Sequence, residues 1–581
     1  MSFVISSEKF QNSTKEGDIY IKGDYYKNKK GLIIKQGGIF NYNDKELFSS
    51  ILTKGNSLIP KLKGEFFLVW YDKKLKEICI GNDKLGREIL FYFYNKKKFI
   101  ISNDFWEIIN IIEPNESDIN IQHVKEFVIF GRPLFFKTIV NNLNFFPAAS
   151  ISKFSIKDKI LNINNYWDFK YTPDDNLSLN EAAERIDMFL SNALRRIKEK
   201  HNPETVYGSG LSGGLDSRLI PHYAVKYRMR LKNFIIGERK PNKLFLSRDH
   251  ASARKIAKLY KLKLHEIPYN CINFEEKAYS EIRFNPTGSA RLFQTINKSS
   301  FPKFDVLLTG MNGNEVFGSD IPLNIQHLNK DQLVDSIISS FFYVHKQSNR
   351  FKRTFKFLFG FIFREDINKR KIFNPLVDEE TFIRAKQKIK KFVEAEIKKN
   401  KTNVDIIQKY VFSFAQISKY NSFGMFWNKK NYSIFLDPYF FEETLRWKAE
   451  FLINRKLQNQ FFLKKVPKLA KIPPQDFQPA IFYRNKWKLF RKVLAMAEFI
   501  LRGWGVVRYN EWSKKKEYLD FARKVLSEDN KIFKNIFNVE DILNSKSIHE
   551  NLVKIKLLLD FIENKKYKRF FEENSKIKKH N

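Results

Sequence analysis

The sequence predicts a multi-domain protein with three regions: a mainly β amino-terminal region, an α/β region built on a parallel sheet, and a helical carboxy-terminal region. Three observations carry this prediction. The chain has 581 residues, more than one hydrophobic core usually organises. Over residues 1–170, short apolar runs are broken by Asn, Asp, Gly and Lys, the pattern of strands and turns. From residue 180 the texture changes to short apolar strands alternating with segments of helical period. That alternation implies parallel strands covered by helices on both faces. The predicted boundaries are 1–170, 180–480 and 481–581.

Local pattern supports each element along the chain. Residues 31–40, 65–71, 77–80, 89–94 and 99–102 read as strands, and 166–179 as a linker. Residues 180–198 place Ala183, Ile186, Phe189, Leu190 and Leu194 at helical spacing. A strand at 205–207 runs into a glycine-rich turn, followed by a helix over 218–226. A second strand at 234–237, a helix at 249–259 and a strand at 304–309 continue the alternation. Beyond residue 480 the chain is helical, basic and aromatic, with no strand pattern.

Composition narrows the class of function. Lys and Arg number 104 against 64 Asp and Glu, a net charge of +40. The excess is spread along a chain rich in Lys, Asn, Ile and Phe, as an AT-rich coding sequence would produce, and follows no single stripe. With no zinc-finger, RNA-recognition or helix-turn-helix signature, no nucleic-acid partner is expected. Two cysteines far apart, Cys79 and Cys271, exclude a framework of disulfides and point to a reduced, cytoplasmic setting. No leader is read at the start, and no uncharged apolar run approaches the ~20 residues that span a bilayer. Segments 350–371 and 487–508 are aromatic with basic ends. They fit either a peripheral membrane contact or a buried helix with lysine flanks. The oligomeric state is left open.

The chemistry concentrates in Leu211, Ser212, Gly213, Gly214, Leu215, Asp216 and Ser217. Glycines let backbone approach an anion closely, and the following helix start offers N–H groups and the positive end of its dipole. Ser212 and Ser217 can donate hydroxyl hydrogen bonds to phosphate oxygens. Asp216 would repel phosphate unless Mg²⁺ bridges the two. The simpler alternative is a tight strand–helix turn with a serine cap, but the six-residue pattern is more specific than such a turn requires.

That pattern, Ser-Gly-Gly-Leu-Asp-Ser over 212–217, resembles the pyrophosphate loop of the asparagine synthetase B-like enzymes and their adenylate-forming relatives. Further likenesses come in the family's order. Asp249, Ala253 and the residues to Ala257, then His265, resemble its helix after the second strand. Residues 310–318 resemble its second nucleotide segment (G-x-G-x-D-E-V-F-G-G), and 435–438 its later P-F-L-D. Nearer the start, residues 37–43 resemble its N-G-E-I-Y-N. Gly64, Phe66, Trp70 and Asp72, then Asp83, Gly86 and Arg87, resemble its next strands, and 146–148 its P-P-G turn.

The resemblance implies an Ntn-hydrolase-like α+β glutaminase domain, a β-sandwich with helices, ahead of an α/β ATP-pyrophosphatase domain. It implies ATP held by Leu211, Ser212, Gly213, Gly214, Asp216, Ser217, Ile236 and Gly310, with backbone at 235–237 meeting adenine. It makes Asp216 and Glu315 catalytic and places both on Mg²⁺, with Asn314 a weaker ligand. In the implied reaction a carboxylate attacks the α-phosphate, giving an acyl-adenylate and pyrophosphate; ammonia or an amine then displaces AMP to form an amide.

Departures from the family carry their own expectations. Ser2 and Phe3 stand where the glutaminase nucleophile, a terminal Cys, belongs. Gln36 replaces the oxyanion-stabilising Asn, Gly38 replaces the Glu that holds glutamine, and 47–62 is shortened. A degenerate glutaminase half is therefore expected. In the synthetase half, Asn314 replaces an Asp, and Met311 replaces a Glu that handles protons of the attacking ammonia. Gln475 falls where a transition-state Lys is expected, leaving Lys464, Lys465, Lys468 or Lys471 to serve. His222 and His250 are read as surface or packing residues. Two alternatives stay open: a ligase for another acid, as in β-lactam synthetases and lasso-peptide cyclases, or a non-catalytic ATP-binding or membrane-surface scaffold.

Overall fold

The computed structural model describes residues 2–236, 248–267, 274–287, 300–317, 325–341, 379–413, 429–474, 481, 516–545 and 548–568. Two six-stranded antiparallel sheets form the amino-terminal region. The first runs, edge to edge, β10 (Leu143–Phe145), β8 (Phe91–Tyr94), β9 (Phe99–Ser102), β1 (Val4–Ser6), β3 (Ile19–Lys22) and β2 (Thr14–Glu16). The second runs β12 (Leu161–Asn165), β11 (Ser150–Ser155), β7 (Glu77–Asn82), β6 (Gly64–Asp72), β5 (Gly31–Ile39) and β4 (Tyr26–Lys27).

β6 explains why this region reads as unbroken apolar runs. Successive side chains leave a strand on opposite faces, and here both faces are covered. Phe67, Val69 and Tyr71 enter the core between the sheets, with Ile5, Ile19 and Ile101 of the other sheet. Phe66, Leu68 and Trp70 turn outward to Leu47 and Ile51 of α1 (Asp44–Lys54). On the outer face of the first sheet, Phe91 and Ile100 meet α2 (Phe105–Ile112) and α3 (Ile121–Phe130). The result is four layers, helix–sheet–sheet–helix. Asn43, Asp104 and Asn120 start the three helices by accepting backbone N–H bonds.

Beyond a linker, α4 (Leu179–Glu199) opens with a capping box of Ser178 and Glu181 and buries Ala183, Ile186, Leu190 and Leu194 along one face. A five-stranded parallel sheet follows, ordered β15 (Leu264–Ile267), β14 (Arg230–Ile236), β13 (Val206–Gly210), β16 (Val306–Thr309) and β17 (Lys430–Ser433). α5 (Leu219–Lys226) and α6 (Arg248–Leu259) join α4 in the large core against one face. The other face carries Phe234, Ile267, Phe301, Phe304 and Leu307, to which no helix among the described residues contributes. The sequence pattern predicts helices on both faces; among the described residues, Phe301 and Phe304 from the segment before β16 pack on this one. The edge strands β15 and β17 escape sequence reading because Leu-His-Glu-Ile and Lys-Asn-Tyr-Ser are too polar to signal strand.

The carboxy-terminal region is helical over Lys516–Ser527, Lys531–Ile536, Val539–Leu543 and Glu550–Glu563. It is not an appendage. Leu552, Ile555, Leu558 and Leu559 share one core with Trp106, Ile109 and Phe127, and with Phe274, Ala278 and Ile282 of α7 (Phe274–Phe284). The helix Glu550–Glu563 therefore packs on α3 and α7 together. Buried Lys554 is satisfied there by Glu281 and the carbonyl of Asn285. Among the described residues no helix is long and apolar enough to cross a membrane, and segments 350–371 and 487–508 lie outside those residues.

Candidate active site

β13 is the middle strand of the parallel sheet, and its end feeds the glycine-rich loop. Leu211, fully buried, anchors the loop by donating its N–H to the carbonyl of Phe234 (2.8 Å). The two serines staple the turn. Ser217 Oγ accepts from the Ser212 N–H (3.1 Å), lies 2.9 Å from Ser212 Oγ and donates to the Ser212 carbonyl (3.1 Å). Ser212 Oγ accepts from the Gly214 N–H (3.1 Å). The Gly213 N–H donates to the Asp249 carboxylate at the start of α6, so an anionic oxygen already sits on the loop backbone.

Sequence reasoning missed the residue that locks this turn. Arg218 is fully buried, and its guanidinium donates to the carbonyls of Gly213 (2.6 Å), Gly214 (3.0 Å), Leu469 (3.0 Å), Ile472 (2.9 Å) and Pro473 (3.3 Å). An Arg after a phosphate-type loop reads as a phosphate ligand; here it ties the loop to a segment more than two hundred residues away.

The second predicted segment does meet the first. A Cβ on Gly310 would lie 2.7 Å from the Ser217 nitrogen, and one on Gly313 would lie 2.4 Å from Asp216 Cγ. Both approaches therefore require glycine. Asn312 turns the chain between them with a left-handed backbone (φ 64°). Glu315, in the short helix Gly313–Val316, comes close enough to disfavour ionisation of Asp216. Burial is the larger influence, while Arg455, a hydrogen bond from Gln458 and Arg218 oppose both; the carboxyl is pushed up to about 7. Gln458 Nε2 donates to Asp216 Oδ1 at 2.8 Å.

The structure thus brings together Leu211, Ser212, Gly213, Gly214, Asp216, Ser217, Gly310 and Glu315. Ile236 ends β14, the strand beside β13; Gly237 lies outside the described residues. Asn314 is exposed. Among the described residues no three His, Cys, Asp or Glu gather as a metal site. The side chains here that could hold Mg²⁺ are the carboxylates of Asp216 and Glu315, and such an ion would complete its oxygen shell from phosphate and water.

Other candidates are structural. Asp437 caps the helix Pro438–Thr444 and pairs with Arg196 at 2.6 Å. His265 lies on the edge strand β15, and His222 bonds the Tyr260 hydroxyl at 2.9 Å. Burial holds both imidazoles below their usual range. Lys464 and Lys465 turn to Glu184 of α4, Lys468 and Lys471 are exposed, and Gln475 lies outside the described residues.

In the amino-terminal half, two of the positions expected to differ from a working glutaminase, Phe3 and Gln36, join a chain of hydrogen bonds. The Phe3 N–H donates to Asn103 Oδ1 (3.0 Å), Asn103 Nδ2 to Gln36 Oε1 (2.6 Å), and Gln36 Nε2 to Glu88 Oε2 (2.7 Å). Beside it, Gly38 packs against Tyr432 of β17, whose hydroxyl would lie 2.8 Å from an added Cβ. Cys79 is no substitute nucleophile: it is buried in β7, and burial pushes its thiol up to about 12. Cys271 lies outside the described residues.

Residues 17–167 match the model of a glutamine amidotransferase domain. A curated relative, "Putative asparagine synthetase [glutamine-hydrolyzing] 2" of Methanocaldococcus jannaschii, is 25% identical over 312 residues, 49% of this chain and 58% of the relative. The chain thus spans less than two thirds of that relative's length. Two solved structures overlay weakly. One is a glutamine phosphoribosylpyrophosphate amidotransferase from B. subtilis complexed with ADP and GMP (9% identity, TM-score 0.19, 53% of this chain and 75% of that one). The other is an allosteric regulatory enzyme of purine biosynthesis (9% identity, TM-score 0.18, 50% and 73%). Overlays this slight carry no argument. The match at residues 17–167 and the curated relative together support an asparagine synthetase-like protein whose residues 17–167 are similar to a glutamine amidotransferase domain.

Proposed function

We propose that this protein is an ATP-dependent amide-forming ligase that activates a carboxylate as its acyl-adenylate. One observation carries the reading. The loop Ser212 to Ser217 lies at the end of the middle parallel strand, and Gly310 and Gly313 bring Glu315 up to Asp216 at glycine-only distances. Two nearby carboxylates beside a backbone turn suit a Mg–polyphosphate: bound there, Mg²⁺ would neutralise the repulsion between carboxylate and phosphate. The fixed loop would orient the nucleotide for attack at the α-phosphate. ATP, Mg²⁺ and candidate acids should yield AMP and pyrophosphate; ADP and phosphate instead would contradict the proposal.

For the nitrogen, we propose free ammonia or an amine in place of glutamine. The support is the Phe3–Asn103–Gln36–Glu88 chain, in which Gln36, the side chain at the expected oxyanion-stabilising position, is bonded through both its oxygen and its nitrogen to other side chains. Amide formation should proceed with ammonium or an amine and stay at background with glutamine as the sole donor. Glutamine-driven turnover would refute this part alone.

A further inference from the structure

Arg455 stands apart from the other cations near the loop. Lys464 and Lys465 are committed to Glu184, and Arg218 is consumed by five carbonyls. Arg455 immediately precedes the helix Lys456–Lys465, in a left-handed backbone conformation (φ 56°, ψ 37°) with no side-chain capping bond. A residue with a Cβ in that conformation costs about 1 kcal/mol or more, and glycine or asparagine would serve a plain helix start better.

The side chain has no other occupation: among the described residues Arg455 makes no hydrogen bond or ion pair. Its helix nonetheless aims at the loop. Gln458, in the first turn of that helix, donates to Asp216 Oδ1 at 2.8 Å, and the Arg455 charge itself is felt at Asp216. The start of this helix therefore converges with the start of α5 on one point, and two helix N-termini with a spare guanidinium favour an anion between them.

We propose that Arg455 is the cation that meets the polyphosphate of the bound nucleotide. The proposal rests on the nucleotide reading above. A guanidinium suits it, since its planar fork can hold two phosphate oxygens at once.

The test is calorimetry on the full-length chain with Mg·ATP, Mg·pyrophosphate and adenosine as probes, with wild type, Arg455→Lys and Arg455→Gly. Glycine removes the charge and relieves the left-handed backbone, so that variant should fold with an undiminished melting temperature. Losing a charge-assisted contact should weaken Mg·ATP and Mg·pyrophosphate roughly ten- to hundredfold, with adenosine unchanged and Arg455→Lys intermediate. Wild-type affinity for Mg·pyrophosphate in Arg455→Gly would overturn the assignment while leaving the nucleotide site standing. A wild-type chain that binds none of the three probes would overturn the nucleotide reading and the assignment together.

Discussion

Gly313 stands against the Asp216 carboxylate with no room for a methyl group. A Cβ there would sit 2.4 Å from Asp216 Cγ and 2.7 Å from Oδ2, so Gly313→Ala must rotate the carboxylate away or push back the segment carrying Glu315. Gly313 has no left-handed backbone to lose, so the fold should survive. Calorimetry should find Mg·ATP binding weakened by about tenfold or more, with circular dichroism unchanged. Arg218→Met is the opposite case. It leaves five carbonyls without their donor, and chemical denaturation should register a loss of about 3 kcal/mol or more. A third residue gives a pH signature. Burial, aided by Lys430 and Lys200, pushes the His201 imidazole from 6.5 down to about 4, at a point where it faces Tyr432 (3.3 Å) between the two halves. Below pH 6.5 the unfolded chain takes up a proton that the folded chain refuses, so stability falls as pH drops toward 4. His201→Gln should remove about 2 kcal/mol of that acid-side loss and change little at pH 7.5. Denaturation curves at the two pH values decide it. The loop itself was legible, because its glycines and serines are local. Arg218, Gln458 and Arg455 were not, because their meaning comes from Leu469, Ile472 and Asp216, which lie more than two hundred residues away in the chain.

At the scale of elements, recognition followed how strongly each segment's own pattern reflects its surroundings. β6 and α4 were visible because covered faces demand apolar residues at period two and period three to four. β17 was invisible. Its Asn431, Tyr432 and Ser433 are buried but serve contacts outside the sheet: Tyr432 against Gly38 and His201, and Ser433 Oγ donating to the Met311 carbonyl at 2.6 Å. α4 is held by its capping box, in which the Ser178 side chain and the Glu181 side chain each bond the other's backbone. Ser178→Ala should cost about 1 kcal/mol. A loss that small should appear as a lower denaturation midpoint with an unchanged slope; no shift would mean that tertiary packing alone fixes where α4 begins.

Across the whole molecule, the carboxy-terminal helices complete the amino-terminal half. No pattern in residues 481–581 announced this, because an amphipathic helix declares that it has a partner without saying which. Leu552, Ile555, Leu558 and Leu559 are fully buried against α2, α3 and α7, so removing 516–581 should expose Trp106, Ile109 and Phe127. The truncated chain should lose solubility or melt earlier even though every loop residue remains, and a truncation that melts like the full chain would refute this. The proposed activity, by contrast, turns on the carboxylate pair beside the loop. Radiolabelled ATP followed with the full-length chain, Mg²⁺, ammonium and a panel of carboxylic acids probes that pair without intermediaries. AMP and pyrophosphate should appear in equal amounts with at least one acid, and neither should come from Asp216→Ala. Release of ADP and phosphate, or pyrophosphate that persists in Asp216→Ala, would contradict adenylation at this site.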